Sequence, residues 1–398
     1  MRNRKRVCTI DDIAIINRGK SKHRPRGDSV LYGGQYPFIQ TSEIKKSVLH
    51  ITEFENTYNE TGLAQSKLWK KGTLCLTIAA NIAETGILDF DACFPDSVVG
   101  ILPYDNVADV IYVKYMMDMF KVYMQQISKG TTQDNLSLEK IRKVKFEIPT
   151  YEEQIKISSI LKTYDCLIEN NNKRIKILEQ MAEELYKEWF VKMRFPDSEK
   201  YDFKRENPKG WILGNHNEML IPEDWKLGKV ADIGFFARGK NITKGEMIEG
   251  EIPVISAGIE PSGYHNESNV KGYSLTMSAS GANAGYLNYH LNDIWAADCS
   301  YYNNDSNIWF MYNSLNFIRK AIDNLQVGSA QPHVYPKNIN KLSILIPEEK
   351  YILKFNELVK PFYEEIKVLK SKNGNLAKQR DLLLPRLMSG KLEVKESE

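Results

Sequence analysis

The chain has 398 residues, enough for two or three domains that each bury a core of their own. A hydrophobic fraction of 42% and a charged fraction of 26% are typical of a soluble globular protein, and a net charge of +3 does not by itself indicate a nucleic-acid partner. The five cysteines include no CxxC pair, which favours reduced thiols in the cytoplasm over disulfides or a zinc site. No apolar run approaches the roughly 18 residues of a membrane span, so none is expected.

The most informative feature of the chain is an internal repeat. Ile13–Ser21 (IAIINRGKS) resembles Ile233–Asn241 (IGFFARGKN), and Thr73–Asn81 resembles Tyr273–Ser280. The same order of segments therefore occurs twice, which predicts two globular domains of one architecture.

Each copy alternates short β-type runs with turn-rich stretches and one short amphipathic helix. These helices are predicted at Tyr112–Ser128 and Leu315–Leu325. The first copy carries a longer insertion between Gln40 and Gly72. We therefore predict an α+β (mixed α/β) fold with a pseudo-twofold internal repeat.

A long helix follows each copy. Tyr151–Met193 contains no Gly or Pro, and at ~1.5 Å per residue it would extend roughly 60 Å. In the second helix, Pro361 should cause a kink or a restart, Gly374 should weaken the middle, and Pro385 with Gly390 should end it. Apolar residues three and four apart form a seam on both helices. The seam residues are Ile168, Ile175, Leu178, Ala182, Leu185 and Trp189 in the first helix and Ile366, Leu369, Leu376 and Leu383 in the second.

The matching seams predict that the two helices pair with each other as an antiparallel coiled coil. A zipper between two chains is the alternative, but effective concentration favours pairing within one chain. The seam from Ile168 to Trp189 spans about 33 Å, close to the ~34 Å of one turn of B-DNA, which predicts two domains on the same face of a duplex. The predicted segments are a first globular domain (1–150), a first long helix (151–193), a Pro/Gly-punctuated connector (194–225), a second globular domain (226–347), a second long helix (348–390) and a frayed tail (391–398).

Signatures of catalysis are missing from the sequence. It contains no phosphate-binding G-x-x-x-x-G-K-[ST] loop, no H-E-x-x-H motif and no Asn-Pro-Pro-aromatic loop of the kind that methyltransferases use. The six His form no metal-binding cluster in the sequence. The chain is therefore interpreted as a binding protein with neither a catalytic nor a metal site.

Basic loops in both copies are the first candidates for a binding surface. Arg18–Arg26 (RGKSKHRPR) is a cation-rich loop of the kind that gathers phosphate oxygens, and the second copy repeats Arg-Gly-Lys. A solvated surface loop is the other interpretation, but the paired placement favours phosphate contact. The predicted contacts are Arg18, Lys20, Lys22, His23, Arg24 and Arg26 in the first copy and Arg238, Lys240 and Lys244 in the second.

Short polar side chains at strand ends and in loops are the second group of candidates. Such groups can hydrogen-bond to base edges, and glutamine pairs naturally with adenine. Their alternative role is to complete a turn. The candidates are Gln40, Thr41, Ser42 and Ser256 after apolar strands; Thr131, Thr132, Gln133, Asn135, Gln331 and His333 in Gly-opened loops; and Asn81, Ser280, Asn283, Tyr301 and Tyr302.

The ordered combination of these features resembles the specificity subunit of type I restriction-modification systems. The motifs that carry the resemblance are Ile148-Pro149 with Glu153-Gln154, the connector Ile221-Pro-Glu-Asp-Trp225, and the tail Gln379-Arg-Asp-Leu-Leu-Leu-Pro-Arg-Leu-Met-Ser-Gly-Lys-Leu392. The second helix start, Glu348-Glu-Lys350, departs from the Glu-Gln form.

The resemblance implies a non-catalytic recognition subunit with two target-recognition domains that each read half of a gapped target in double-stranded DNA. It implies that methyltransferase subunits dock on the paired helices and that restriction subunits join through the complex. S-adenosylmethionine, ATP and Mg²⁺ would then be bound by those partners, with no cofactor in this chain. Two alternatives stay open at the level of sequence: a decoy subunit that binds partners without productive DNA recognition, and an enzyme with an unrecognised small-molecule site.

Overall fold

A computed structural model of the chain describes residues 5–128, 136–206, 219–325 and 333–394. The chain divides into two compact units: unit 1 comprises residues 1–173 and 370–398, and unit 2 comprises residues 174–369. Each unit therefore contains one globular domain and one half of each long helix. The sequence predicted a linear order of domains and helices. The compact units differ from that order because the last part of the second long helix, from residue 370, packs on the first domain and belongs to unit 1.

Unit 1 is built around a five-stranded sheet of order β2-β10-β7-β8-β4 and a four-stranded sheet of order β5-β3-β9-β6, with β1 paired to β11. The strands are β1 Arg6–Cys8, β2 Ala14–Arg18, β3 Tyr32–Phe38, β4 His50–Ile51, β5 Asn56–Tyr58, β6 Leu68–Trp69, β7 Leu74–Thr77, β8 Thr85–Leu88, β9 Ala92–Cys93, β10 Val98–Pro103 and β11 Phe146–Ile148. The helices are α1 Thr41–Lys46, α2 Glu60–Ala64, α3 Val110–Met119, α4 Lys121–Ser128, α5 Leu138–Lys143 and the first part of α6 Tyr151–Phe190.

Unit 2 contains a four-stranded sheet of order β15-β21-β18-β19, a three-stranded sheet of order β17-β16-β20, and the pairs β12-β13 and β14-β22. The strands are β12 Phe203–Glu206, β13 Met219–Pro222, β14 Lys226–Lys229, β15 Ala237–Arg238, β16 Ile252–Ile255, β17 Gly263–His265, β18 Ser274–Ser278, β19 Leu287–His290, β20 Trp295–Ala296, β21 Cys299–Tyr302 and β22 Ser343–Ile346. The helices are α7 Ile308–Phe317, α8 Arg319–Asp323, α9 Pro336–Ile339 and the first part of α10 Glu349–Met388.

The strand orders show that the sequence repeat is a repeat of topology. The order β2-β10-β7-β8 in unit 1 matches β15-β21-β18-β19 in unit 2, and the pair β1-β11 matches β14-β22. The parallel pairing of β3 with β9 is matched by that of β16 with β20. The predicted mixed α/β fold with an internal repeat is thus confirmed.

The insertion predicted in the first copy is a set of additional elements. Helices α1 and α2 and strands β4, β5 and β6 all lie between Gln40 and Gly72. The corresponding segment of unit 2, residues 256–273, carries the single strand β17, which pairs with β16 as β5 pairs with β3.

The long helices pair in antiparallel fashion within each unit. In unit 1 the Asn171 side chain donates a hydrogen bond through Nδ2 to Asn373 Oδ1 of α10, at 2.8 Å. In unit 2 Arg174 Nη2 lies 2.7 Å from Glu365 Oε1. As the residue number rises along α6, the number of its partner in α10 falls. The antiparallel coiled coil predicted from the matching seams is confirmed.

Most of the predicted seam is buried. Ala182, Ile366 and Leu369 are fully buried, while Leu178 and Leu185 are partly buried against the same core. Trp189 belongs to this core as well. The seam prediction missed Tyr186, which is buried among the aromatic rings of unit 2. Tyr186 lies four residues after Ala182 and therefore faces the same side of α6.

The ends and interior of the long helices differ from the predictions in two respects. Helix α6 ends at Phe190, and Met193 has a positive φ of 55°, which is incompatible with a continuing helix. Helix α10 runs without interruption through Pro361 and Pro385 to Met388, so the helix does not restart at Pro361. A proline inside a helix costs about 3 kcal/mol. Full burial of the flanking Val359 and Tyr363 supplies enough packing energy to offset that cost.

The short helix of unit 2 begins earlier than the predicted Leu315. Helix α7 starts at Ile308 because Asn356 of α10 accepts hydrogen bonds from the N–H groups of Trp309 and Phe310, at 3.0 and 3.1 Å. This cap comes from a residue distant in sequence, so local pattern does not reveal it. Its counterpart in unit 1, α3, is capped locally by Asp109, whose carboxylate accepts from Tyr112 N.

Candidate nucleic-acid interface

The basic loop of unit 1 starts where β2 ends at Arg18. Gly19 N donates to Val98 O at 2.8 Å, and Lys20 N donates to Phe94 O at 3.1 Å. A Cβ atom at Gly19 would lie 2.3 Å from Pro95 O, so only glycine fits at this crossing. The loop is therefore fixed at its first two residues to the chain that leads into β10.

The Arg-Gly-Lys segment of unit 2 is anchored in the same way. Gly239 N donates to Cys299 O and Lys240 N donates to Ala296 O, both at 2.9 Å. A Cβ atom at Gly239 would lie 2.3 Å from Ala297 O. The close approach to Ala297 O thus explains why this glycine is repeated. The side chains of the flanking Arg238 and Lys240 are exposed.

An aspartate that sequence analysis did not select lies beside the arginines in each unit. In unit 1 Asp96 Oδ1 is 2.6 Å from Arg26 Nη2, and Asp96 Oδ2 is 3.9 Å from Arg24 Nη2. In unit 2 Asp298 pairs with Arg238 and accepts a hydrogen bond from Ser280 Oγ at 2.7 Å. Each aspartate follows by two residues the carbonyl group that accepts from the loop lysine, which is Phe94 O in unit 1 and Ala296 O in unit 2. This shared position is visible only through these backbone hydrogen bonds, and no sequence motif marks it.

Arg18 and Arg26 border an open hollow in unit 1. Its volume is about 230 Å³, and Ile78, Ala79, Asp96 and Ser97 complete its lining. The hollow brings together the arginine side chains at the two ends of the basic loop, Arg18 and Arg26, beside one carboxylate. Its chemistry suits a group that presents both hydrogen-bond donors and acceptors.

The remaining residues of the basic loop are divided between structural and exposed positions. Gln65 Oε1 accepts hydrogen bonds from Lys22 N at 2.6 Å and His23 N at 3.1 Å. His23 Nε2 lies 2.9 Å from the Asp28 carboxylate, and this hydrogen bond lowers the pKa of Asp28. The His23 side chain thus stabilises the loop, and the Lys22 side chain is exposed.

The lysines of unit 2 also differ from one another. Lys240 Nζ lies 5.9 Å from the centre of the Trp295 ring, whose Nε1 donates to Lys240 O at 2.8 Å. Lys244 is exposed. Both cations remain accessible to a phosphate, and neither is in a salt bridge with a described residue.

Gln40, Thr41 and Ser42 follow strand β3, as predicted, and begin a helix. Gln40 is the N-cap residue of α1, and Thr41 and Ser42 form its first turn. The Glu43 carboxylate accepts from Gln40 N at 3.1 Å and from Ser42 Oγ at 2.7 Å. The alternative role, completion of a turn, therefore describes Ser42.

Ser256 likewise takes part in local structure. Its Oγ lies 3.0 Å from Ser262 Oγ within the loop that joins β16 to β17. Asn81 is half-buried in the turn between β7 and β8, where its carbonyl oxygen accepts a hydrogen bond from Thr77 Oγ1. The Asn81 side chain remains available to a ligand, since this bond engages only the backbone.

The structure brings some of the predicted polar residues of unit 2 together. Ser280 and His333 form an isolated β-bridge, and the His333 ring stacks on Tyr335 with 5.8 Å between ring centroids. Lys337 Nζ lies 5.8 Å from the Tyr335 ring. Ser280 also bonds to Asp298, so these residues adjoin the Arg238 loop. Tyr335 and Lys337 were not selected from the sequence.

Tyr302, which was predicted to contact DNA, lies in the core of unit 2. Tyr302 is only 2% exposed, packs on Phe236 and donates a hydrogen bond to Asn307 Oδ1 at 2.5 Å. Tyr301 is partly buried against the small core around Cys299. Asn283 is half-buried in the short turn after Ser280. The candidates Thr131, Thr132, Gln133, Asn135 and Gln331 lie outside the described residues.

Metal binding and membrane insertion are two further roles to compare with the described residues. No group of three or more His, Cys, Asp or Glu side chains in that part of the chain is placed to hold a metal ion. Among the same residues, none of the helices is long and apolar enough to cross a membrane.

Two domains of one topology, each with an anchored arginine loop and with antiparallel segments of the two long helices, define an internally duplicated protein. Residues 4–180 and 222–380 match the family model of the type I restriction modification DNA specificity domain. The chain belongs to this family: it is a type I restriction-modification specificity subunit with two DNA target-recognition domains.

Relatives cover nearly the whole chain. It is 28% identical over 395 residues to the type I restriction enzyme MjaIX specificity subunit of Methanocaldococcus jannaschii, covering 92% of this chain and 88% of the relative. The MjaVIII specificity subunit of the same organism is 21% identical, with 91% and 87% covered. The crystal structure of a type I restriction-modification S subunit from M. genitalium superposes with a TM-score of 0.55 at 16% identity, covering 100% of this chain and 98% of that chain. That likeness supports the fold.

Proposed function

We propose that the chain is the non-catalytic recognition subunit of a type I restriction-modification complex and reads a bipartite, gapped target in double-stranded DNA. Each unit reads one half of the target. The observation that carries this proposal is the occurrence of the same arginine-bearing loop, anchored by the same two backbone hydrogen bonds, in both units.

Accessible cations in the two loops supply the general affinity for DNA. Lys20 and Lys22 in unit 1 and Lys240 and Lys244 in unit 2 neutralise phosphates, which fixes the position of each unit on the duplex without reading sequence. Polar side chains such as Asn81 and His333 contact base edges in the major groove. Because both halves of the target must bind at once, specificity is multiplied without a very tight contact at either half.

The paired helices set the separation of the two half-sites and provide the docking surface for partners. Methyltransferase subunits bind their outer faces, and restriction subunits join through that complex. S-adenosylmethionine, ATP and Mg²⁺ are bound by these partners. Continuity of α10 through Pro361 and Pro385 supports this role, because an interrupted helix would make a poor spacer.

Co-expression with the methyltransferase subunit of the system, followed by sequencing of modified bases in the host DNA, tests the proposal. We expect methylation at a two-part motif with a fixed gap. Replacing residues 1–150 by the first domain of a relative should change one half of the motif and leave the other half and the gap unchanged. The matched exchange of residues 226–347 should change only the other half.

Two other results would contradict the proposal in different ways. An intact complex that methylates no DNA would identify a decoy subunit. Turnover of a small molecule by the isolated chain would identify an enzyme.

A further inference from the structure

We infer that Asp298 and Asp96 are positioning residues that hold an arginine in each unit for guanine recognition, so that these arginines read bases instead of neutralising phosphates. The inference rests on the proposed function and refines it, because it assigns a base type and separates two roles within the basic loops.

The pair in unit 2 leaves most of the guanidinium free. Asp298 engages Arg238 through one nitrogen, Nη2, and its second oxygen accepts from Ser280 Oγ at 2.7 Å. A guanidinium has five N–H donors, so a fork remains for a ligand. The Arg238 side chain is 42% exposed and that of Asp298 is 32% exposed, which leaves both within reach of DNA. The Arg238 guanidinium is thus fixed by Asp298 through Nη2, and its other N–H groups are available to a ligand.

Unit 1 contains the same arrangement with a different arginine. Asp96 holds Arg26 at 2.6 Å at the edge of the open hollow, and the Arg26 side chain is 49% exposed. Arg26 lies at the far end of the basic loop, whereas Arg238 lies at the start of its loop. The aspartate therefore occupies the same position in both units. The arginine that pairs with it comes from the end of the basic loop in unit 1 and from its start in unit 2.

Stability does not explain these pairs. Exposed ion pairs contribute only about 0–1 kcal/mol to folding, because solvent screens them and the side chains lose entropy. Phosphate binding does not explain them either, since a carboxylate beside the arginine cancels its charge and repels the phosphate. Recognition of guanine needs a guanidinium held in one orientation, with two N–H groups directed at O6 and N7. A neighbouring carboxylate supplies that orientation at a small cost in affinity.

A second repeated aspartate provides the contrast within each unit. Asp293 accepts from Gly272 N at 2.9 Å and pairs with Lys271, and Asp91 accepts from Lys71 N at 2.9 Å and pairs with Lys70. These carboxylates hold a backbone turn. Asp298 and Asp96 instead hold arginine side chains of the basic loops.

The test uses the complex with the methyltransferase subunit and compares modified-base profiles of four variants. Asp298→Asn and Arg238→Lys are both expected to reduce discrimination at a single guanine in the second half of the motif, on the order of tenfold or more. Asp96→Asn should do the same at one guanine in the first half only. Asp293→Asn, which removes an equally paired carboxylate, should leave every position of the motif unchanged.

The half of the motif read by the unaltered unit serves as the internal control for folding and assembly. If the unmodified chain yields no two-part motif, the proposed function fails. If it does, but Asp298→Asn and Arg238→Lys leave base preferences unchanged at every position, the inference is overturned. A uniform loss of methylation at all sites with unchanged preferences would also overturn it, because that is the behaviour of a phosphate contact.

Discussion

The two units hold the helix pair by different chemistry at equivalent positions. In unit 1 the buried Asp165 pairs with Arg380 and accepts a hydrogen bond from Tyr115 OH at 2.6 Å. The position that matches Asp165 in the second repeat is Tyr363, which stacks on Trp309 with 3.4 Å between ring centroids and an angle of 1° between planes. Unit 1 thus uses a buried ionic network where unit 2 uses aromatic packing.

The difference continues one helical turn further on. Glu169 of unit 1 accepts hydrogen bonds from Leu49 N at 3.1 Å and His50 N at 2.6 Å. Its counterpart in unit 2, Lys367, lies 5.2 Å from the Tyr273 ring centre. Duplicated positions have therefore kept their geometry and changed their side chains. A buried polar network tolerates one arrangement of partners and aromatic packing tolerates several, so the register of the helices is specified more strictly in unit 1.

The largest effect is expected from Arg380→Met. Asp165 is fully buried, so loss of its cation leaves an uncompensated charge and should reduce the free energy of unfolding by about 3–5 kcal/mol. Arg174→Met is the matched control, because its pair with Glu365 is 51% and 40% exposed and should contribute less than about 1 kcal/mol. Urea unfolding followed by circular dichroism measures both.

The double variant Asp165→Leu with Arg380→Met should recover most of that loss, because replacing a whole buried pair by apolar residues is close to neutral. If Arg380→Met lowered the free energy of unfolding no more than Arg174→Met does, the buried pair would not be the stabilising feature that distinguishes unit 1.

A smaller, pH-dependent effect is expected from Glu169→Gln. Burial acts to raise the pKa of Glu169, but the hydrogen bonds from His50 and Leu49 outweigh it, and the pKa is lowered. The stabilisation is therefore present above the unfolded-state value of about 4.3 and is lost as the pH falls through the folded-state pKa. The variant should be roughly 2 kcal/mol less stable than the wild type at pH 7, with the difference narrowing in acid.

Lys367→Gln is the control for this measurement in unit 2. It removes a cation–π contact worth about 0.5–1 kcal/mol, and the cost should not change between pH 7 and pH 4. An equal cost of Glu169→Gln at both pH values would show that the charge of Glu169 does not stabilise unit 1.

The smallest effects should come from a pair of tyrosine variants. Tyr115→Phe removes a donor from the buried Asp165 and should cost about 1 kcal/mol. The Tyr363 hydroxyl is buried and makes no hydrogen bond with a residue that the structure describes, so Tyr363→Phe should be neutral or slightly stabilising. Thermal unfolding of the two variants, which differ from the wild type by one oxygen atom each, would sharpen the comparison. If Tyr363→Phe lost more stability than Tyr115→Phe, the expected order of the two variants would be wrong.

Sequence alone predicted what depends on periodicity and repetition. The seam around Ala182 and Ile366, the antiparallel pairing and the repeat of topology all follow from apolar spacing and from segments that occur twice. The start of α7 was missed because its cap, Asn356, is distant in sequence. Continuity of α10 through Pro361 was missed because the packing that offsets the proline comes from tertiary contacts.

The candidate site was predicted less well than the fold. The anchored Arg-Gly-Lys segments were found because they repeat, but Asp96 and Asp298 were overlooked because no local motif links them to the arginines. Tyr302 was selected for its chemistry, although burial excludes it from contact with DNA. The role of a loop residue depends on which side chains the strand order places beside it. The spacing of residues within the loop does not predict that strand order.

The division of the long helices between the units has a consequence for how the chain is synthesised. Leu387 and Met388 belong to the same core cluster as Ile10 and Ile13, and Lys5 Nζ donates to Met388 O at 2.9 Å. All of unit 2 lies between these segments in sequence. During synthesis on the ribosome, unit 2 can complete its core before Leu387 and Met388 are translated. The core of unit 1 stays incomplete until these two residues are added. A chain that ends between residues 370 and 386 would therefore keep all of unit 2 but lack part of the core of the domain that was translated first.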